Sequence, residues 1–204
     1  MPALEARLSR LFAAHTFPVG ISVDSQHSHA AWAAALGGIS LPLLADFHPK
    51  GAVGKAYGTY LEAAGLDDRA TVLVDAAGIV RYAESVTPGG KRDIEALVAA
   101  CEALDASFDG DLPTMPSPPE PPTDMTLFVR DHCMFSRWAL YARANLHLDG
   151  ALPVRNVSVD AQARADLEAL GGKAQAPALQ IGDEVMYESQ DIVARLTGAC
   201  APLL

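Results

Sequence analysis

Cysteine is scarce. Cys101, Cys133 and Cys200 are the only three in 204 residues, and three widely spaced cysteines make neither a disulfide framework nor a zinc pattern. A reducing, cytoplasmic setting is the natural expectation. Long hydrophobic runs are missing too. No apolar run approaches the ~18 residues that a membrane-spanning helix needs. Met1-Pro2-Ala3-Leu4-Glu5-Ala6-Arg7 has no basic flank, apolar run or cleavage site, so no secretory leader is expected. Basic residues are outnumbered, 15 Lys and Arg against 25 Asp and Glu, for a formal net charge of −10. That balance disfavours a nucleic-acid or anionic-membrane partner and favours solubility. The histidines, including His27 and His29, show no ligand spacing, so no metal is expected.

What remains suits a protein that buries a core: half the residues are hydrophobic and a fifth are charged. Proline is concentrated. Asp111–Asp124 holds Pro113, Pro116, Pro118, Pro119, Pro121 and Pro122. Such a stretch lacks backbone donors and tends to polyproline II, a semi-rigid spacer. The expected organisation is a domain over residues 1–107, a Pro-rich linker over 108–124 and a second domain over 125–204.

Both halves use an α/β grammar. Leu4, Leu8, Leu11 and Phe12 share one helical face. Pro18–Asp24 reads as a buried strand, and residues 28–36 as a helix carrying Trp32, Ala35 and Leu36. Thr71–Val74 and Ile79–Tyr82 flank Asp75-Ala76-Ala77-Gly78, a hairpin. Ile94, Leu97, Val98, Cys101 and Leu104 form the apolar stripe of a closing helix, which makes Cys101 a buried, inert thiol. In the second half the pattern predicts strand 125–129, helix 136–146, strand 153–159, helix 161–170, a hairpin over 178–181 and 184–187, and a last helix from Gln190. Gly182-Asp183 is its two-residue turn. The order β-α-β-α-β-β-α makes a layered sandwich with a mixed sheet.

Cys133 stands at a strand-to-helix junction, where free amides and the positive end of the helix dipole favour a thiolate. The thiolate is the nucleophile in disulfide exchange. Arg130 and Arg137 lie within a turn or so, and His132 is adjacent. Cys200 reads as a tail cysteine. Downstream, Pro177 heads a strand, where a cis Ala176–Pro177 bond would leave the Ala176 backbone free for an extended peptide. Ser189 is placed to cap the final helix, whose start suits an anionic carboxylate.

Cys133-Met134-Phe135-Ser136, Ala176-Pro177 and Glu188-Ser189 together resemble the motifs of a bacterial glutaredoxin, a family close to the N-terminal domain of glutathione transferases. The resemblance covers residues 125–204 and implies a glutathione-dependent oxidoreductase, with glutathione as co-substrate and no tightly bound cofactor. It implies that Cys133 forms the mixed disulfide, that Ala176 and Pro177 bind the peptide backbone, and that Glu188, Ser189 and Gln190 hold the γ-glutamyl end. Arg130 takes the place of a lysine near the glycyl carboxylate. Ser136 replaces the second motif cysteine, so only the monothiol route remains. The motif also resembles Cys-Gly-Phe-Ser, the signature of glutaredoxins that carry a [2Fe–2S] cluster. Met134 in place of glycine, and the lack of an extended loop ahead of the motif, weigh against that reading.

Ile21-Ser22-Val23-Asp24-Ser25 with His29 and Trp32, Leu41–Asp46, Lys55–Gly58 and Arg69–Asp75 resemble the alkyl hydroperoxide reductase / thiol-specific antioxidant peroxiredoxins over residues 1–104. Arg69 matches the arginine that polarises the peroxide there. The family's Pro-x-x-x-Thr-x-x-Cys element is absent, and no cysteine precedes Cys101. Peroxidase activity is therefore not expected from the chain as given. The resemblance also implies a missing strand between Pro18–Asp24 and Thr71–Val74, which would leave unpaired edges. Three resolutions follow: a start further upstream, which we rank first, a half-domain closing on itself, or pairing with another chain, as a homodimer or with a peroxiredoxin partner.

The fold expected is α/β, two thioredoxin-like domains with the first truncated. The function expected is a glutathione-dependent thiol–disulfide oxidoreductase of an antioxidant fusion, acting on glutathionylated or disulfide proteins. Tethering would raise the local concentration of reductant to roughly millimolar. The rival reading is a non-enzymatic glutathione-binding module with a degenerate peroxidase half.

Overall fold

The computed structural model describes residues 1–112, 114 and 123–200, with the backbone alone at Cys200. The readings of most of the proline stretch and of the Cys200 thiol lie outside the described residues. Two compact units divide the chain: Met1–His29 with Leu41–Met115, and Ala30–Ser40 with Pro116–Leu204. Among the described residues no helix is long and apolar enough to cross a membrane.

The first unit contains α1 (Pro2–Glu5), α2 (Leu8–Ala13), β1 (Gly20–Ser22), the start of α3 (Gln26–Ala35), β2 (Leu43–Ala45), α4 (Ala52–Ala56), β3 (Tyr60–Leu61), β4 (Leu66–Asp67), β5 (Ala70–Val74), β6 (Val80–Ser85) and α5 (Ile94–Ser107). The expected N-terminal helix is broken in two, yet Leu4, Leu8 and Leu11 still reach one core with Leu97, Val98 and Cys101. Phe12 instead stacks on Phe17, with ring centroids 6.3 Å apart. Arg7 and Arg10 both reach Glu95, at 2.6 and 2.8 Å, and Arg10 also reaches Glu102 at 2.9 Å, tying α2 to α5. Exposed pairs like these contribute little each, up to about 1 kcal/mol, so the apolar contact holds the helices together. Asp93 caps α5, accepting from the Ala96 N–H at 3.0 Å. The hairpin turn is closed by the Asp75 carboxylate, which accepts from the Ala77 and Ile79 N–H groups at 2.9 Å.

The strands of this unit are corrected in one respect. Pro18–Asp24 is not a buried strand: β1 is three residues long, and Val19 and Ile21 are 45 % and 40 % exposed. The reason is pairing. β1 pairs in parallel with β2 alone, Gly20 opposite Leu43 and Ser22 opposite Ala45. β5 pairs with β6 alone, antiparallel, with an irregularity at Leu73/Val74. Among the described residues each sheet has two strands, so β1 and β5 keep an open edge.

The second unit continues with β7 (Met125–Val129), α6 (Met134–Asn145), β8 (Val154–Asn156), α7 (Ala161–Gly171), β9 (Ala178–Ile181), β10 (Glu184–Met186) and α8 (Ser189–Cys200). Its sheet has the order β10-β9-β7-β8. β7 is parallel to β8 and antiparallel to β9, Leu127 lying opposite Val154 on one side and Leu179 on the other. Alternation along β7 serves both faces. Met125, Leu127 and Val129 pack with Ala139, Leu148, Leu152, Ile192 and Leu196, while Phe128 packs with Ala163, Leu167 and Ala178. α6 and α8 therefore cover one face and α7 the other. This is a four-stranded thioredoxin-like sandwich; among the described residues no strand of the first unit joins β1 to β5 as β7 joins β8 to β9.

Candidate functional site

β7 delivers the chain to the head of α6, and Cys133 is the N-cap of that helix. Its sulfur accepts from the Ser136 N–H at 3.5 Å. Ser136 is 1 % exposed, and its Oγ accepts from the Arg130 N–H at 3.1 Å. That acceptance leaves its own proton for the sulfur. Burial pushes the Cys133 thiol up, but the Ser136 amide and hydroxyl, the Phe135 amide and the Arg130 charge together carry it below its ordinary value. Arg137 is exposed and is not among those groups. Cys101 behaves oppositely: burial, then the Glu102 charge, raises it against a hydrogen bond from Thr16.

Facing the sulfur is the loop ahead of β9. The Ala176–Pro177 bond is cis, both residues are buried, and the Ala176 carbonyl oxygen is 3.9 Å from the Cys133 Sγ. The Ala176 main chain lies just outside β9, which starts at Ala178. Two non-glycine residues of this unit beside the motif residues adopt left-handed backbone, His132 at φ +52° and Glu188 at φ +66°. Backbone of this kind costs about 1–3 kcal/mol and collects at functional sites. The capping expectation is revised: α8 begins at Ser189 itself, so Glu188 precedes the helix and its carbonyl accepts from the Ile192 N–H at 3.0 Å. Ser189 is buried, and Gln190 and Glu188 are exposed.

Reading the sequence alone missed three features. A polar cleft of about 360 Å³ is lined by Arg130, Val157, Ser158, Arg164 and Ala174. Ser158 also accepts from the Asp131 N–H at 2.9 Å, fastening the loop that leads to Cys133. Finally, Lys173 and Gln175 form a polar chain to Glu188. The parallel β7–β8 crossover brings Ser158 and Arg164 to Arg130, and no local pattern signals it. Arg69 stands in the first unit. Its Nη1 donates to the Gly90 carbonyl at 3.0 Å. Arg92 nearby donates to Thr71 Oγ1 and the Ala70 carbonyl at 2.9 and 2.7 Å. No group of three or more His, Cys, Asp or Glu side chains able to hold a metal occurs among the described residues.

The AhpC/TSA family model matches residues 1–83, and the model of the glutathione S-transferase N-terminal domain matches residues 127–201. The chain joins two thioredoxin-like domains of different families. The peroxiredoxin-type half is 44% identical over 88 residues to Alkyl hydroperoxide reductase E of Mycobacterium tuberculosis, a match covering 43% of this chain and 57% of that protein. It is 34% identical over 92 residues to Peroxiredoxin-4 of Dictyostelium discoideum, covering 42% of this chain and 35% of that one. The chain therefore spans little more than half the length of the mycobacterial protein. Among solved structures, AhpC of Enterococcus faecalis is 30% identical with a TM-score of 0.48, covering 54% of this chain and 69% of that chain. Cys133, Ala176, Pro177 and Ser189 all fall within the transferase-type match, and Arg69 within the peroxiredoxin-type match.

Proposed function

We propose that the chain is a glutathione-dependent thiol–disulfide oxidoreductase working by a monothiol route at Cys133. The observation that carries the reading is Cys133 at the N-cap of α6, its sulfur held by Ser136 and set 3.9 Å from the Ala176 carbonyl. The Cys133 thiolate attacks the glutathione sulfur of a mixed disulfide. The new Cys133–glutathione bond forms as the old disulfide breaks, and the protein thiolate leaves and takes a proton from solvent. The thiolate of a second glutathione then attacks the bound glutathione sulfur, releasing oxidised glutathione and the Cys133 thiolate. Ser136 provides no second sulfur, so no internal disulfide interrupts the cycle.

The surroundings suit this co-substrate. The Ala176 main chain would pair with the peptide backbone, the Arg130–Ser158–Arg164 cleft with the glycyl carboxylate, and Ser189 and Gln190 at the head of α8 with the α-carboxylate of the γ-glutamyl end, Glu188 taking its ammonium. In a fuller antioxidant system the peroxiredoxin-type half would supply the oxidised partner. The test is deglutathionylation of a small glutathione mixed disulfide by the full chain and by Cys133→Ser. The wild type turns over and the variant does not; equal rates would leave only a non-enzymatic binding module.

A further inference from the structure

The segment before Ala176 and the segment before α8 are fastened to each other. Lys173 Nζ donates to Gln175 Oε1 at 3.0 Å. With its oxygen so engaged, the Gln175 amide turns Nε2 toward Glu188 and donates to Oε1 at 3.3 Å. The same lysine ammonium sits 4.2 Å from the centroid of the Tyr187 ring, and Tyr187 Oη donates to the Lys173 carbonyl at 3.1 Å. Gly171 belongs to the arrangement, since any Cβ there would run into Tyr187 Oη. The result is a clamp between residues 171–175 and 187–188, adjoining the Ala176 carbonyl that faces Cys133.

Glu188 is held in a left-handed conformation, φ +66°, where glycine would be the relaxed choice. We infer that Lys173 and Gln175 are positioning residues, orienting the Glu188 carboxylate so that its second oxygen meets the ammonium of an acidic thiol peptide. On this inference the free α-amino group is a specificity handle. The idea rests on the glutathione reading above, which already gives Glu188 the γ-glutamyl ammonium, and adds to it that Lys173 and Gln175, as a relay, hold that carboxylate in place.

The experiment measures binding of S-methylglutathione, which cannot exchange, and of its analogue with the α-ammonium replaced by hydrogen. Both are titrated by calorimetry into the full chain as wild type, Gln175→Leu and Lys173→Met. The wild type should prefer the ammonium form about fivefold, the upper range for an exposed charge contact. Both variants should bring the preference to within about twofold, while the rate of Cys133 alkylation stays unchanged. A preference retained in Gln175→Leu would overturn the relay and leave the glutathione reading standing. So would an equal loss of both ligands, the mark of a merely structural clamp. Failure of the wild type to bind S-methylglutathione at all would overturn the glutathione reading and the relay with it.

Discussion

Ser136→Ala is the sharpest perturbation of the site. The hydroxyl has two tasks: it accepts from the Arg130 N–H at 3.1 Å and it helps hold the Cys133 thiol below its ordinary value. Removing it leaves the Ser136 backbone N–H on the sulfur at 3.5 Å, so the thiolate loses one donor and keeps others. A single hydrogen bond contributes about 0.5–1.5 kcal/mol net, and about 1.4 kcal/mol is a tenfold change in an ionisation equilibrium. Cys133 is only half-buried, which screens the effect. The thiolate population at a fixed pH below the thiol's titration should therefore fall by about two- to tenfold. The assay is the iodoacetamide rate at Cys133 in the full chain across pH, read by peptide mass. The variant's profile should lie at higher pH. Because nucleophilicity falls as a thiol's pKa falls, the variant should react slower at low pH and faster on the high-pH plateau, so the two profiles cross. The orphaned Arg130 amide should also lower stability by about 1–3 kcal/mol. Linkage gives this a pH signature. A thiol whose folded value is depressed adds stability above its unfolded value and loses it as pH falls through the folded one. The variant should therefore lose more stability at alkaline than at acidic pH. Superimposed alkylation profiles would refute the account of Ser136.

Cys101 is 2 % exposed and raised by burial, so it should label only after denaturation, and labelling in native buffer would show that α2 and α5 do not close on it. Asp67 is raised, by burial first and then by the Asp46 charge, with the Val23 amide only partly offsetting them. A raised carboxyl costs stability above its unfolded value, and the cost is relieved as pH falls through the folded one. Asp67→Asn should accordingly raise the thermal midpoint of the first unit at pH 7 and have less effect near pH 4, a comparison that calorimetry settles. The β1 and β2 amides should exchange with solvent faster than those of Leu127 to Val129, because strands each paired on one edge only open locally at lower cost than a central strand buried on both faces. Equal protection by hydrogen exchange would mean that another element covers β1.

Where a residue's environment follows from its neighbours in sequence, the reading was direct. The stripe Leu97, Val98, Cys101 is buried as its spacing requires, and Cys133 heads α6 because a short apolar strand followed by helix-compatible residues leaves little else possible. Gly182 at φ +57° closes the β9–β10 hairpin as the turn dipeptide implies. Where the environment depends on what covers a strand, the pattern misled. Val19 and Ile21 alternate like a core strand, yet burial needs a partner on both edges and both faces, which an apolar run cannot reveal. The site divides in the same way. Cys133 and the Ala176–Pro177 bond have local signatures, but Arg164 and Gln175 meet Arg130 and Glu188 only through a crossover and a loop closure.

The two units differ in the element that makes this chemistry workable. In the second, β7 is locked between β8 and β9 and buried on both faces. Its end therefore places the Arg130 and Asp131 amides against the Ser136 and Ser158 hydroxyls, and Cys133 against the Ser136 N–H. The same strand sets the distance to Ala176, because β9, which follows the Ala176–Pro177 bond, pairs directly with β7. In the first unit Arg69 and Arg92 gather at the start of β5, but the cysteine of that unit, Cys101, is sealed into the α2–α5 core. A guanidinium pair can stabilise a developing anion only where a nucleophile is delivered to it. A central strand and a thiol at its end occur together only in the second unit among the described residues. On the function proposed above, the thiol chemistry of the described residues runs through Cys133.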